Sequence, residues 1–463
     1  MDWQHLISTK RLGQELRHTE RHDDRSEFKR DYDRLIFSAP FRRLQNKTQV
    51  FPLPGSVFVH NRLTHSLEVA SVGMSLGSDV ARDIIRRTPH FAGTNIEELG
   101  TIVASACLAH DLGNPPFGHS GEKAIQTFFS EGAGAQLQSQ LPPEVWQDLI
   151  HFEGNANAFR ILTHRFSGRR EGGFAMTYST LASIVKYPYP ASSISHVGKE
   201  KFGFFTSEAP IYKKIAKELG IVTSPQPLGM CSGDGLQFSP FGGARGGVYS
   251  RHPLVYLVEA ADDICYEIMD IEDAHKLKLL SFEETRELLL AFFEEDVQKA
   301  ILERIEQEHI TDKNEQVVYM RAGVIGKLEN ECVSAFLHNE EAILAGTFQG
   351  SLIKQISERQ RKAYEACTKV AFSKIYRSKP VLDIELGGFH IMGTILERMI
   401  DAIIHPDRFY SKQLLCRVSS QYEIEAPDLP TRVMAVVDFI SGMTDVFALD
   451  FYQKINGTSL PIV

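Results

Sequence analysis

Residues 101–122 read TIVASACLAHDLGNPPFGHSGE. The first nine of them form an apolar run that is typical of a buried helix. Gly113 favours the end of that helix, and the proline pair at 115–116 cannot continue it. We therefore predict that His110 and Asp111 lie at a helix terminus, where two adjacent side chains can turn toward one ion.

Two more metal-ligand candidates lie far from this stretch. His65 stands at the start of another predicted helix, and Asp262 lies within a third. Helical phase separates Asp262 from its neighbour Asp263, because Asp262 falls at the edge of the apolar stripe and Asp263 points well away from it. A carboxylate at such an edge is costly unless a metal or a partner compensates its charge.

Together, His65, His110, Asp111 and Asp262 supply two imidazole nitrogens and two carboxylate oxygens. Such a donor set can hold one divalent cation and leave coordination positions open for water and substrate. We predict one ion per site, either Mn²⁺, Mg²⁺, Fe²⁺ or Zn²⁺, because these donors accept several metals. Taken singly, each residue has a structural role as its commoner explanation, so the prediction rests on their combination.

Two further patterns accompany these ligands. Asp262, Tyr266 and Asp270 follow one another at four-residue steps, so they line one side of a single helix. His119 and Glu122 stand three residues apart, where the carboxylate can fix the tautomer of the imidazole and raise its basicity. We predict that His119 is an acid or base catalyst oriented by Glu122. A helix-capping glutamate beside an exposed histidine is the alternative.

Composition excludes several other classes of protein. The chain has 463 residues, of which 43% are hydrophobic and 24% charged, the balance of an ordinary globular protein. Its net charge of −9 argues against a chain-wide grip on nucleic acid. We find no bilayer-spanning stretch and no signal peptide, so we expect a cytoplasmic protein without a membrane partner. The six cysteines form no Cys-x-x-Cys pair, so a metal would depend on imidazole and carboxylate ligands.

Helical periodicity predicts a mainly α fold in one domain, 1–463. Apolar residues recur at three- and four-residue spacing over roughly 62–87, 97–111, 253–277, 283–308 and 430–450. We expect a core over about 28–300 and a C-terminal helical extension over about 301–463. Proline, serine and glycine clusters predict an irregular insertion over about 168–250, which is either a lid over a pocket or a surface loop.

Several ordered motifs extend beyond the metal-ligand candidates. They occupy residues 41–50, 60–66, 110–122, 151–156, 186–188, 201–205, 260–266 and 442–445. With these motifs the chain resembles the HD-domain deoxynucleotide triphosphohydrolases, and within them the deoxyguanosine triphosphate triphosphohydrolase (dGTPase) group, over most of its length. The resemblance implies an HD-domain helical fold.

The resemblance also implies a reaction. Water would attack the α-phosphorus of a deoxynucleoside triphosphate, with dGTP favoured, and release a deoxynucleoside and intact triphosphate. The family's metal ligands fall on the four residues chosen above, and its catalytic pair falls on His119 and Glu122.

Substrate contacts follow from the same resemblance. Gln49 and Asp270 would bind the 3′-hydroxyl, while Val50 and Tyr266 would crowd the place of a 2′-hydroxyl. The phosphate side would be formed by residues that supply positive charge and donors: Arg62, His151, Asn155, Lys186, Tyr187 and Lys201. An ordinary solvated lysine is the alternative for Lys186 and Lys201.

This chain departs from the family pattern at two positions. Val446 stands where relatives have a basic residue, so a phosphate or subunit contact is missing there. Asn157 replaces a glutamine, which puts a minor polar contact in doubt. The resemblance further implies a homo-oligomer and allows an allosteric nucleotide as a partner.

Two other functions remain open. The same metal site could act on a nucleoside monophosphate or a cyclic phosphodiester, and the released phosphate product distinguishes these substrates. The chain could instead be a non-catalytic nucleotide sensor or a nucleic-acid-binding scaffold. An intact set of metal ligands together with His119 and Glu122 speaks against such a protein, because a site without chemistry does not need all six groups.

Overall fold

A computed structural model of the chain describes residues 1–16, 24–51, 59–223 and 247–459. Regular structure in these ranges is almost entirely helical, and strand pairing is limited to isolated bridges. The prediction of a mainly α fold is confirmed. Within the described ranges, no helix is both long enough and apolar enough to cross a lipid bilayer.

The α-helices range from 4 to 26 residues in length. In chain order they are α1 (Trp3–Leu6), α2 (Glu27–Ile36), α3 (Ala39–Arg43), α4 (Arg62–Arg87), α5 (Leu99–Ala109), α6 (His119–Ser130), α7 (Pro143–Ile150), α8 (Gly154–Thr163), α9 (Tyr178–Ile184), α10 (Ile194–Val197), α11 (Ala209–Glu218), α12 (Pro253–Lys276), α13 (Phe282–Leu290), α14 (Glu295–Gln307), α15 (Lys313–His338), α16 (Glu340–Ala345), α17 (Glu358–Val370), α18 (Lys379–Ile404), α19 (Phe409–Leu415), α20 (Leu429–Ser441) and α21 (Asp445–Ile455).

Two of the expected helices are each broken in two. The stretch predicted as one helix over 283–308 forms α13 and α14, and the turn between them buries Phe292 and Phe293. The stretch over 430–450 forms α20 and α21. The first of these helices ends at Ser441 with Gly442 as its C-cap, and the Thr444 side chain caps the second by accepting a hydrogen bond from the Phe447 amide.

The expected insertion over about 168–250 is irregular only in part. Its described portion contains α9, α10 and α11, and every residue of α9 is buried. Phe202, Phe204 and Phe205 are also buried, so this portion packs into the core instead of forming an open loop. Residues 224–246 lie outside the described ranges, and the lid remains a prediction.

The chain divides into two compact units, each assembled from separate stretches. Unit 1 contains residues 1–47, 109–252 and 385–463, and unit 2 contains residues 48–108 and 253–384. The expected arrangement of one domain, with a core and a C-terminal extension, remains a prediction.

Unit 1 is held by an apolar core and a buried ion-pair network. The core gathers side chains from α6, α7, α18, α20 and α21. At its edge the Arg160 guanidinium donates to both carboxylate oxygens of Asp438, each at 2.8 Å, and to Glu208 at 2.8 Å. All three side chains are buried. Removing one partner would leave an uncompensated buried charge, which typically costs about 3–5 kcal/mol.

Unit 2 is built on close packing of α4, α12 and α15, and α5 packs against α4. Gly73 of α4 faces the Cys107 thiol so closely that a Cβ there would lie 2.6 Å from Sγ. Gly77, one turn further, would meet the Gly100 backbone at 2.8 Å. These glycines let α4 approach α5 directly, and α5 in turn delivers the chain to His110. A side chain at either position would push the two helices apart.

The cysteines are reduced in the described part of the chain. Cys107, Cys265, Cys332 and Cys367 are buried and Cys416 is exposed, all as free thiols. Burial raises the pKa of each of the four buried thiols. They are therefore poor nucleophiles and poor metal ligands at neutral pH. Cys231 lies outside the described residues.

Candidate metal and catalytic site

In unit 2 a buried histidine meets a carboxylate. His65 lies in the first turn of α4, which Asn61 begins with a reciprocal capping box with Thr64. Its ring is 2% exposed, and Nε2 lies 3.1 Å from Oδ1 of Asp262 on α12. Asp263 occupies another side of α12, where its carbonyl oxygen accepts a hydrogen bond from the Tyr364 hydroxyl at 3.0 Å.

The His65–Asp262 pair fits a metal centre by its chemistry. Imidazole nitrogen and carboxylate oxygen each bind first-row divalent ions at about 2.0–2.2 Å, so adjacent ligands on one ion lie about 3 Å apart. The observed 3.1 Å matches that spacing. These two residues can therefore serve as neighbouring ligands of one ion without rearrangement.

In unit 1 the His110-Asp111 pair follows immediately after α5. The helix ends at Ala109, two residues earlier than expected, because the Leu112 amide turns back to the Ala109 carbonyl. Nε2 of His110 lies 3.7 Å from Oδ1 of Asp111. The Asn114 side-chain amide donates to the same carboxylate oxygen and so fixes its direction.

Close backbone contacts explain the glycines that follow in this motif. A Cβ at Gly113 would collide with the Gly154 carbonyl oxygen, and one at Gly121 would collide with the Pro116 carbonyl oxygen. Phe117 adopts a φ of 61°, which a non-glycine residue rarely does, and its amide donates to Asp445 at 2.9 Å. This tight turn sets His119 at the first position of α6.

The expected catalytic pair is in contact. Nδ1 of His119 lies 3.2 Å from Oε2 of Glu122, and the imidazole is 69% exposed. The other oxygen of Glu122 accepts a hydrogen bond from the Gly154 amide at 2.8 Å, which anchors the carboxylate to the start of α8. When Nδ1 carries the proton it donates to Glu122, and Nε2 is left as the acceptor.

A second buried carboxylate stands beside this pair, and sequence reasoning missed it. Glu153 accepts a hydrogen bond from the Asn155 amide at 2.5 Å and lies 3.6 Å from the Lys201 ammonium. Burial and the charge of Glu122 raise the pKa of Glu153. Burial lowers the pKa of Lys201, but the Glu153 carboxylate outweighs it and the net shift is upward. Glu153 thus holds Asn155 and Lys201, two of the expected phosphate-binding residues, close together and keeps the lysine charged.

The remaining phosphate-side candidates of unit 1 differ in charge. Burial lowers the pKa of His151, so this imidazole is a neutral hydrogen-bond donor at neutral pH instead of a cation. The Lys186 ammonium and the Arg251 guanidinium each lie 6.0 Å from the Tyr187 ring centroid. Arg251 was missed by sequence reasoning because it belongs to none of the motifs and becomes adjacent to Tyr187 only in the fold.

The expected sugar contacts of unit 2 surround a tyrosine that the sequence did not single out. The Tyr376 hydroxyl donates to Oδ2 of Asp270 at 2.8 Å, and its ring stacks on Tyr266 with centroids 5.9 Å apart. Burial raises the pKa of Asp270 despite this hydrogen bond. Tyr266 is 36% exposed, whereas Asp270 is 5% exposed. Tyr376 follows a short π-helical turn over 371–375, so no helical phase indicates its direction.

Three other expected contacts of unit 2 lie near the start of α4. Oε1 of Gln49 is buried and has no hydrogen-bond partner among the described residues, so it is ready to accept a donor such as a hydroxyl. Val50 is partly buried, and Arg62 is buried as the first residue of α4. These placements leave the substrate roles of the three residues as predictions.

The two departures from the family pattern have different outcomes. Asn157 is 1% exposed, and its amide donates to the Gly113 carbonyl at 2.7 Å. The shorter side chain therefore still makes a polar contact, directed at the His-Asp turn. Val446, in the first turn of α21, is 57% exposed and supplies no charge there.

A largely buried histidine just before α4 stabilises unit 2 by its charge. Nδ1 of His60 lies 2.8 Å from Asp273, and Nε2 lies 3.0 Å from Glu68. Burial lowers the pKa of His60, but the hydrogen bonds to Asp273 and Glu68 outweigh it and raise the pKa to about 10. The imidazolium is therefore the stable form at neutral pH.

The His60 charge predicts a pH-dependent stability. Because the folded pKa lies above the unfolded value of about 6.5, the stabilisation is complete below pH 6.5 and is lost as the pH rises through 10. We expect a loss on the order of 4 kcal/mol in the free energy of unfolding over that window. Chemical denaturation of His60→Gln should lack this decline. His5→Gln, which removes an exposed histidine 2.8 Å from Asp2, is the control and should retain it.

Family comparisons agree with this geometry. Residues 62–152 match the HD domain family, and residues 354–454 match the phosphohydrolase-associated domain family. The first match contains His65, the His110-Asp111 pair and the His119–Glu122 pair. The helical fold and these residues define a hydrolase of the HD-domain class.

Full-length relatives narrow the class further. A deoxyguanosinetriphosphate triphosphohydrolase-like protein of Pseudomonas aeruginosa is 36% identical over 472 residues, covering 100% of both chains. A Synechocystis protein of the same description is also 36% identical, over 99% of this chain and 100% of its own. The deoxyguanosinetriphosphate triphosphohydrolase of Yersinia enterocolitica is 27% identical over 92% of this chain and 93% of its own. The chain belongs to the deoxyguanosinetriphosphate triphosphohydrolase-like family.

Proposed function

We propose that this hydrolase converts deoxynucleoside triphosphates, dGTP above all, to deoxynucleoside and inorganic triphosphate. The observation that carries the proposal is the buried His65 imidazole lying 3.1 Å from the Asp262 carboxylate. Together with His110 and Asp111, these residues would bind one divalent ion. Family membership supports the substrate class, since the relatives are described by their action on deoxyguanosine triphosphate.

The four metal ligands would hold the ion, and the His119–Glu122 pair would transfer the proton. When bound, the ion would supply Lewis acidity to an α-phosphate oxygen and lower the pKa of a water ligand. His119, oriented by Glu122, would accept a proton from the attacking water or donate one to the departing 5′-oxygen through Nε2. The Gly154 amide anchors Glu122, which would help to hold the imidazole in one orientation during this transfer.

Charged and polar groups would bind the phosphate chain. Lys201 and Asn155, which Glu153 holds together, supply a cation and an amide donor. Lys186 and Tyr187 would act beside Arg251, whose guanidinium adds a second positive charge to that group. Arg62 would contribute a further cation, and His151 would act as a neutral donor.

Shape and hydrogen bonding would select the deoxyribose. Asp270 and Gln49 offer acceptors for the 3′-hydroxyl, and Tyr376 fixes the Asp270 carboxyl. Tyr266, held by stacking on Tyr376, would crowd a 2′-hydroxyl together with Val50. Exclusion of ribose by these two side chains would be steric.

Identification of the phosphate product tests the proposed reaction. The metal-loaded protein is incubated with each deoxynucleoside triphosphate, singly and mixed, and the products are separated by ion-exchange chromatography. Release of triphosphate with deoxynucleoside is expected. Orthophosphate from a monophosphate or from a cyclic phosphodiester would indicate the alternative substrates, and no turnover under any condition would indicate a sensor. Stimulation in the mixtures alone would reveal a regulatory nucleotide.

Removal of the Asp270 carboxylate should weaken recognition of the 3′-hydroxyl. We expect Asp270→Asn to lower kcat/KM for dGTP by about 10- to 100-fold and to leave the slower hydrolysis of 2′,3′-dideoxy-GTP nearly unchanged, because only dGTP loses a hydrogen bond to a charged or buried group. Glu267→Gln is the matched control, since Glu267 is another buried carboxyl of α12 that pairs with Thr368. Equal losses for both nucleotides in the Asp270 variant would contradict the assignment.

We further propose that the chain acts as a homo-oligomer. Apolar side chains of unit 1 are exposed on α18 and α21: Leu386 is 72% exposed, Phe389 40%, Val446 57% and Leu449 42%. Such side chains are common in subunit contacts. Light scattering coupled to size-exclusion chromatography should give a mass of at least twice 52.1 kDa, and a mass of 52.1 kDa would contradict the proposal.

A further inference from the structure

A cavity in unit 1 has features that the proposed reaction does not use. It has a volume of about 210 Å³ and lies among α7, α8, α20 and the segments around residues 164–166, 207 and 423. Asp148 and Arg160 line it together with His164 and Asp438, and Glu423 lines it as an exposed residue. None of these side chains belongs to the metal-ligand, catalytic or substrate-contact sets.

The lining of this cavity contains an unsatisfied buried carboxyl. Asp148 is 3% exposed, and its Oδ2 accepts a hydrogen bond from the Thr206 amide at 2.8 Å. Its Oδ1 is buried and has no hydrogen-bond partner among the described residues. A buried polar atom without a partner is costly and is rare in folded proteins. The Thr206 hydroxyl, whose oxygen is also buried without a partner, acts on this carboxyl. Because a carboxyl oxygen can accept more than one hydrogen bond, Oδ1 retains the capacity to accept a donor from outside the chain.

The charge around the cavity favours a cation. Arg160 is already balanced by the bidentate contact with Asp438 and by Glu208. His164 lies 3.1 Å from the same Glu208. Asp148 and Glu423 form no ion pair among the described residues. Burial raises the pKa of Asp148 to about 8, and the charge of Glu208 adds to this, although the Thr206 hydrogen bonds and the Arg160 charge act in the opposite direction. A bound cation would favour the ionised form of this carboxyl.

The donor geometry narrows the chemical class of that cation. A divalent metal would need several oxygen ligands, whereas the buried end of the cavity offers one free oxygen. A guanidinium would prefer both oxygens of one carboxylate, and Oδ2 of Asp148 is occupied by the Thr206 amide. A primary ammonium, which donates to a single acceptor, fits this arrangement.

The walls of the cavity suggest the rest of the ligand. Val145, Met434 and Ala435 provide apolar surface, and Glu423 supplies a second carboxylate that is exposed to solvent. We propose that this cavity binds a short aliphatic diamine, with one ammonium on Oδ1 of Asp148, the methylene chain on the apolar wall and the second ammonium on Glu423. Such a ligand satisfies both carboxyls at once.

Calorimetric titration of the full chain with 1,4-diaminobutane tests the assignment. The titration is made at constant ionic strength, with 1-aminobutane and magnesium chloride as comparison ligands. We expect saturable binding of the diamine, binding of the monoamine that is about tenfold weaker, and no saturable binding of magnesium at this cavity. Asp148→Asn should lower the affinity for the diamine by at least about tenfold, because the amide keeps the Thr206 contact but carries no charge.

Two further variants test whether Glu423 binds the second ammonium. Glu423→Gln is a change at an exposed position and should not disturb folding. It is expected to reduce the affinity for the diamine to that for the monoamine. Glu425→Gln, an exposed neighbour that does not line the cavity, should bind like the wild type. Absence of binding to the wild type at about 10 mM diamine, or equal affinity in the wild type and Asp148→Asn, would overturn the proposal. Equal affinity for mono- and diamine would overturn the role of Glu423.

Discussion

Replacing Asp262 with alanine is expected to remove the metal ion and thereby to lower turnover more than about 100-fold. Even a change in the residues that merely support a metal ligand commonly costs 10- to 100-fold in metal affinity or activity, and Asp262 is proposed as a direct ligand. His65 would be left without its carboxylate neighbour at 3.1 Å. Elemental analysis of the purified variant, together with the rate of dGTP hydrolysis, measures both effects.

Asp263→Ala is the matched control for this experiment. It removes the adjacent carboxylate on another side of α12, where the backbone of Asp263 contacts Tyr364. Metal content and turnover should stay near the wild-type values. Normal metal occupancy in the Asp262 variant would disprove the proposed ligand set, since a site that keeps its ion without this carboxylate cannot depend on it.

His119→Ala should lower turnover by roughly two to four orders of magnitude while metal and nucleotide binding persist. The imidazole is 69% exposed and touches Glu122, so its loss removes a proton-transfer group without emptying the core. Metal content, nucleotide binding by calorimetry and the pH dependence of kcat separate these properties.

An exposed histidine elsewhere provides the control for His119. His90→Ala changes a solvent-exposed imidazole in the short turn after α4 and should leave kcat unaltered. If His119→Ala retained full turnover, the proton-transfer role would have to belong to another group. If instead the variant lost its metal, His119 would be part of the metal site and not a general acid or base.

Glu122 and Asp270 are each held in position by neighbouring residues that have no proposed chemical role. Glu122 orients the proposed catalyst only because the Gly154 amide holds its second oxygen, and Gly154 must be a glycine to let Asn114 and Glu122 approach. Asp270 is presented by Tyr376 in the same manner. Both expected functional carboxylates therefore depend on residues that carry out no chemistry themselves.

Local pattern was sufficient for much of the fold and for naming the candidate reactive groups. The helices α4 and α12 follow from apolar spacing and helix-start and helix-end signals, because these signals act over three or four residues of the same chain segment. The His-Asp turn follows from a glycine and two prolines for the same reason. Residue types by themselves also limit the metal to imidazole and carboxylate donors, because the cysteines are too scattered to form a thiolate site.

Tertiary structure alone decided which distant residues complete these groups. Tyr376 reaches Asp270 across 106 positions, and Lys201 reaches Glu153 across 48, with no local spacing to connect them. The break between α13 and α14 and the packing of α9 likewise depend on which apolar side chains are buried by neighbours. A sequence by itself determines how each segment prefers to coil and which atoms it carries. Contacts between segments depend on how their surfaces pack, and packing is a property of the folded chain as a whole.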